Sequence, residues 1–156
     1  RQMCIRDRLW DTEDAARAVL PLVQAGAAAV SFQNGVRKDA ILRDALGSQA
    51  VLGGVSYIAA SIARPGVIRH VGAMQKLVFG EFGGATSART QSLLDACLAA
   101  GIDAQISPDI ERSTWEKFVF LAGLSGATTA MRSQIGPIRE NPRARAFLLG
   151  LMREVV

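Results

Sequence analysis

The chain changes character at Pro108. Upstream of it, short apolar runs of strand length alternate with helical stretches; downstream, every stretch as far as Val156 carries helical spacing. Proline lacks the N–H that a helix interior needs and pushes the residue before it into an extended conformation, so the pattern divides there. The expectation is an α/β region over 9–108 followed by an all-α region over 109–156. At 156 residues the chain is long enough for one domain with a real core, or for parts of two.

The formal net charge of +4 carries little information about partners. Arg1, Arg6 and Arg8 against Asp7 supply half of it, and the remaining basic and acidic residues are interspersed. No arginine-rich patch with interleaved aromatics is present, which argues against nucleic acid as a partner. Back-translation of Gln2 to Arg8 permits a codon run resembling a transposase adapter used in library preparation. Residues 1–8 are therefore expected to be a cloning or assembly artefact and are set apart from fold reasoning. No apolar run is long enough to span a bilayer and no signal-peptide layout is visible, so the expectation is a cytoplasmic protein without a membrane partner. Cys4 and Cys97 make neither a disulfide framework nor a metal spacing. The single histidine, His70, rules out a site that needs two imidazoles. No metal site is expected.

In order, Leu9 to Gly26 reads as a helix that Asp11 or Thr12 can cap, with Glu13 and Asp14 in its first turn. Ala27 to Phe32 follows as a short buried strand, QNGV turns the chain, and Lys38 to Leu46 reads as a second helix. In α/β sheets ligands gather at the carboxyl ends of strands, and Asn34 stands at such an end. Its amide offers a donor and an acceptor, while Gly35 lets the backbone come close. Asn-Gly is also an ordinary turn pair, and spacing alone leaves both readings open. Three strand candidates come next, Ala50 to Ala60, Gly66 to Val71 and Lys76 to Glu81, separated by turns at Arg64-Pro65-Gly66 and Gly72-Ala73. That spacing predicts antiparallel pairing at a sheet edge. His70 has no acid or nucleophile near it in sequence and reads as structural or surface. Thr86 to Ala100 is a helix and Asp103 to Ser107 a last short strand.

The stretch from Asp109 to Arg132 reads as one long helix, capped by Asp109 and carrying Glu111 in its first turn. Trp115, Phe118, Val119, Leu121 and Ala122 supply an apolar wall around Lys117. Steps of four from Lys117 reach Leu121, Ser125 and Thr129, which puts an ammonium and two hydroxyls on one helix face. That face suits the lining of a cleft; equally, the lysine stem can lie over apolar surface with its head in water. A break at Gly136-Pro137 and a final helix from Asn141 or Pro142 through Val156 complete the pattern.

Taken in this order, VSFQNGV with Asn34, the block GGVSYIAASIARPGVIRHVG leading into LVFGE, and DIERSTWEKFVFLAGLSGATTA with Lys117 resemble the ketopantoate reductase family, the 2-dehydropantoate 2-reductases. The resemblance runs from about Leu9 to Val156. It implies the C-terminal part of a Rossmann-type NADP-binding domain followed by the start of a helical dehydrogenase domain that serves substrate binding and dimerisation. It further implies hydride transfer from NADPH to the keto carbon of a 2-keto acid, on the route to pantothenate. Lys117 matches the family's general acid, and Asn34 matches the asparagine between the nicotinamide and the substrate. Ser125 falls at a substrate-binding position and Ala59 near a backbone contact to cofactor. A homodimer through the helical region is implied as well.

The chain departs from the family pattern at three positions. Where many members carry asparagines one turn after the lysine, two turns after it, and just before the later glycine, this sequence has Leu121, Ser125 and Ile135. Ser125 still hydrogen-bonds, whereas Leu121 and Ile135 do not, and a site that loses paired polar contacts loses discrimination for the hydroxyl they read. A branched or bulkier 2-keto acid is thus an alternative substrate. A related 3-hydroxyacid dehydrogenase and a non-catalytic helical interaction remnant are the other readings. No GxGxxG motif occurs in the chain. The resemblance places that motif upstream of Leu9, and a substrate-holding serine and glutamate beyond Val156, so the polypeptide as given is expected neither to bind NADPH tightly nor to turn over.

Overall fold

In the computed structural model, residues 9–156 are described; the expected artefact at 1–8 lies outside them. Two βαβ units joined by an antiparallel hairpin make up the first region. After a single 3-10 turn at Leu9–Asp11, α1 covers Thr12–Gln24, β1 is Ala29–Val30 and α2 is Lys38–Leu46. The hairpin is β2, Val51–Arg64, with β3, Val67–Gly80; α3, Ala88–Ala99, then leads to β4, Asp103–Ile106. The sheet order is β1-β2-β3-β4. β1 runs parallel to β2, with Ala29 opposite Val51, and β4 parallel to β3, with Asp103 opposite Lys76. The two crossovers through α2 and α3 bring a short strand to each side of the hairpin's base, so the hairpin lies in the middle of the sheet and not at its edge, as its spacing had predicted.

Two strands stand where three had been expected. Gly72-Ala73 is not a turn between strands but part of a bulge within β3: Ile58 pairs with Gln75 and Ala60 with His70, which leaves four residues of β3 unpaired against one of β2. Gly72 takes a left-handed φ of 78°, and the His70 ring lies 2.9 Å from the Met74 carbonyl across the bulge. The long antiparallel partner keeps β3 in register on either side, so the glycine interrupts the ladder without ending it. β1 is shorter than the run Ala27 to Phe32, because only Ala29 and Val30 find partners in β2.

The hairpin base is buried and its far end is exposed. Val51, Leu52 and Val55 of β2 and Val78 and Phe79 of β3 belong to the core. Ala16, Leu42, Leu46 and Val51 form one cluster under α1 and α2, and Val55, Val78 and Ile110 form a second. Close approach demands glycine here: a Cβ on Gly53 would stand 2.7 Å from the Ile110 side chain, and one on Gly54 2.7 Å from Val30. Either would have to push a neighbouring element away from the sheet.

The chain divides into two compact units, the first ending at Thr114 and the second running from Trp115 to Val156. The long helix α4, Ile110–Met131, begins in the first and continues in the second. Asp109 caps it, its carboxylate accepting from the Arg112 N–H at 2.9 Å. The helix ends at Arg132, which adopts φ 46°. The break therefore falls before Ile135 and not at Gly136-Pro137; those two residues sit in the first turn of α5, Ile135–Glu140. Proline is tolerated there because the first N–H groups of a helix have no intrahelical partner. α6, Pro142–Glu154, starts with proline and is capped by the Asn141 side chain, which accepts from the N–H groups of Arg143 and Ala144. Ala127, Ile138 and Leu148 form the core of this unit.

Candidate active site

A parallel strand that ends two residues after it begins leaves its carboxyl end to a loop, and in this chain that loop carries Asn34. Three side-chain contacts hold its upstream half. The Ser56 hydroxyl on β2 donates to the Phe32 carbonyl at 3.4 Å, the Gln33 N–H donates to the Ser31 hydroxyl at 3.3 Å, and the Thr12 hydroxyl on α1 donates to the Gln33 carboxamide oxygen at 3.0 Å. Asn34 itself is exposed, and Gly35 follows at φ 100°. The loop thus presents a carboxamide at the crevice end of the sheet while its flanks are anchored to α1 and β2.

Downstream, the loop enters α2 through a pair that the sequence pattern gives no sign of. Lys38, the first residue of α2, is 1% exposed and Asp39 is 7% exposed. Both carboxylate oxygens lie 2.8 Å from the Lys38 ammonium. Burial pushes the Asp39 carboxyl above the ordinary carboxylate range, outweighing the attraction of Lys38 and Arg43, and the charge of Glu111 adds to the rise. Arg43, one turn on, stacks over the Phe82 ring at 4.6 Å. The local sequence at Lys38 offers only a cation at the start of a helix, where the backbone dipole disfavours it, and that alone says nothing of a buried pair.

On α4, Lys117 is half-buried, and Leu121, Ser125 and Thr129 follow it at helical steps. Trp115 and Phe118 meet edge to face with ring centroids 5.8 Å apart, so the apolar residues around the lysine partly pack on one another. Leu121 is half-buried, while Ser125 and Thr129 are exposed. Ile135 packs against the Ala127, Ile138 and Leu148 cluster, so an apolar side chain at that position serves the core of the helical unit. Lys117 and Ser125 thus share one face of one helix, and Asn34 and Ala59 belong to the sheet unit. Ala59 sits on the exposed outer half of β2, at the register shift between Ile58 and Ala60. It lies three residues beyond Ser56, the point where β2 contacts the Asn34 loop, a span of roughly 10 Å along a strand. His70 is exposed on the same outer ribbon.

A second charged cluster lies at the other end of β3. Glu81 accepts from the Arg89 guanidinium at 2.7 and 2.6 Å and from the Ser87 hydroxyl at 2.6 Å. Arg89 also donates to the Gln49 carbonyl at 2.5 Å, tying α3 to the turn before β2. Ser87 and Thr90 cap α3 reciprocally. These hydrogen bonds hold the Glu81 carboxyl below its usual range, led by the one from Arg89. Among the described residues, no three His, Cys, Asp or Glu side chains are grouped so as to hold a metal ion. No described helix is long and apolar enough to cross a membrane.

A sheet built from βαβ units, a polar loop at the carboxyl end of its parallel strand, and a helical region after it define a Rossmann-type fold with a helical extension. The family model for ketopantoate reductase PanE/ApbA matches residues 9–84, the model for the ketopantoate reductase C-terminal region matches 109–156, and the chain belongs to this family. It is 31% identical over 151 residues to the Bacillus subtilis oxidoreductase YkpB, covering 97% of this chain and 50% of that protein. It is 31% identical over 146 residues to the 2-dehydropantoate 2-reductase of Halobacterium salinarum, covering 94% of this chain and 47% of that protein. Among solved structures, the 2-dehydropantoate 2-reductase of Geobacter metallireducens superposes with a TM-score of 0.83 at 26% identity, covering 94% of this chain and 48% of that one. The chain spans about half the length of the curated relatives it matches.

Proposed function

We propose that the protein to which this chain belongs is an NADPH-dependent reductase of a 2-keto acid, with 2-dehydropantoate reduction to pantoate as the family's reaction. The observation that carries this reading is the half-buried Lys117 at the head of the apolar run 118–124 of α4, with Ser125 two turns along the same face. The nicotinamide, when bound, supplies the hydride that converts the keto carbon to an alkoxide. Lys117 holds a proton at Nζ and gives it to that oxygen, and its positive charge stabilises the developing anion. Asn34 fits the nicotinamide end of such a cofactor, since an exposed carboxamide at the crevice end of β1 both donates and accepts. Ser125 is the hydrogen-bonding partner for substrate, and the backbone at Ala59 is a cofactor contact. The sequence contains no GxGxxG motif to cradle the pyrophosphate, so the 156-residue polypeptide alone is proposed to be inactive. Saturable micromolar NADPH binding by it would overturn that statement.

The test is NADPH oxidation by the longer protein containing this segment, against a panel of 2-keto acids, with Lys117→Ala beside wild type. Turnover cut by roughly a hundredfold or more in the variant supports the proton-donor role. Unchanged turnover removes it. A second reading, reduction of a bulkier apolar 2-keto acid, is favoured by Leu121, half-buried one turn from the lysine where a polar residue would read a hydroxyl. The same panel separates the two by kcat/KM. We further propose a cytoplasmic homodimer formed through the helical unit, supported by the exposed Phe120 of α4 and Phe147 and Leu149 of α6. Light scattering of the longer protein reads its mass.

A further inference from the structure

Lys38 is among the largest side chains that the described part of the molecule buries completely, and the charged one in a group otherwise made of Phe79, Ile110, Ile138, Val51 and Thr90. Local sequence does not favour that outcome. An ammonium at the first turn of a helix meets the unfavourable end of the macrodipole, and taking it out of water is costly even when it is paired. Side chains at neighbouring helix positions do not face each other, yet both Asp39 oxygens lie 2.8 Å from Lys38 Nζ. The two side chains converge because the surrounding structure gives them one shared site. Apolar residues of similar volume commonly replace such a pair with no loss of stability. Stability therefore does not account for the pair.

Its position does. Lys38 lies four residues after Asn34, across a loop whose Gly35 has a left-handed backbone that other residues rarely adopt. Ser56 and Thr12 fix the chain before Asn34, and the Ile41 N–H to Arg37 carbonyl bond at 3.2 Å begins the helix after it. We infer that the Lys38–Asp39 pair is a positioning device: it locks the first turn of α2 at one depth and so sets the direction in which Asn34 presents its carboxamide. The inference rests on the reading of Asn34 as the group that orients substrate and nicotinamide.

The test replaces the pair with apolar residues, Lys38→Met together with Asp39→Leu, in the longer reductase and in this chain. Positioning predicts an unchanged or raised urea midpoint with kcat lowered by roughly a hundredfold, the effect of small misplacements at a reacting centre. The independent readout is the 15N side-chain amide resonance of Asn34 in this chain, identified by its disappearance in Asn34→Ala. It is expected to shift in the double variant and to stay in place in Arg89→Ala. If the double variant does not fold, Lys38→Met alone is read at the same resonance. Wild-type kcat and KM, or an unmoved Asn34 resonance, overturns the inference. A wild-type reductase inactive on every 2-keto acid overturns the proposed reaction instead, and the resonance still decides the positioning.

Discussion

Two carboxylates that pair with a cation inside the sheet unit, Asp39 and Glu81, move in opposite directions while the exposed pairs of Arg17 lie apart from them. Asp39 is held by one adjacent lysine in a nearly dry site, and its carboxyl rises because desolvation exceeds the attraction. Glu81 sits at the end of β3 with two hydrogen bonds from a half-exposed arginine and a third from Ser87, and its carboxyl falls because those bonds outweigh a smaller desolvation. The same chemistry gives a net cost in one place and a net gain in the other. What separates them is how many donors reach the carboxylate for the water it loses.

The largest effect expected from breaking this contrast comes from Lys38→Ala. Removing the cation leaves the Asp39 carboxylate in its buried site and empties the space of the lysine stem, with a loss of roughly 3–5 kcal/mol near neutral pH by urea unfolding. The loss carries a pH signature. Without Lys38 the Asp39 carboxyl rises further, so in the folded state it binds its proton at pH values where the unfolded chain has released it. Stability of the variant therefore falls as pH climbs from the ordinary value of 3.8 through the raised one. Urea midpoints that stay flat across that window would count against a dry Asp39.

Arg89→Ala comes next, at about 1 kcal/mol, because Ser87 remains on Glu81 and water reaches the vacated side. A loss as large as that at Lys38 would erase the contrast. Glu81→Gln gives a smaller effect with the opposite pH dependence. The depressed carboxyl contributes its stability above the ordinary value of 4.5 and loses it as pH falls through the folded one. The gap between wild type and Glu81→Gln should close on acidification, and a gap that widens would contradict the assignment. The floor is Arg17→Ala, which removes exposed pairs with Asp14 and Glu13 on α1. Its urea midpoint should match wild type within error.

Much of the fold was legible because it depends on neighbours in sequence. The helix over Lys38–Leu46 has its apolar spacing and terminal Gly47, Asp109 caps α4 through its own third residue, and Asn141-Pro142 starts α6. The proposed site residues rest on signals of the same local kind. Asn34 stands out because it follows a strand-like run and precedes glycine, and Lys117 because it heads the apolar run 118–124. The β3 bulge and the break before Ile135 were misread for a common reason. Gly72 and Pro137 signal what a backbone segment prefers in isolation, whereas the pairing of β2 with β3 and the start of a helix decided how each was used.

The sequence by itself determined where most of the helices fall, where the α/β pattern gives way to helices, and which motifs tie the chain to ketopantoate reductases. Each of these is written in residue spacing over a few turns. Only the tertiary structure decided that the hairpin occupies the middle of the sheet, that Gly53 and Gly54 must lack side chains, and that Lys38 is buried against Asp39. Those outcomes depend on residues far apart in sequence meeting at one point, where desolvation and close packing act and local propensity does not.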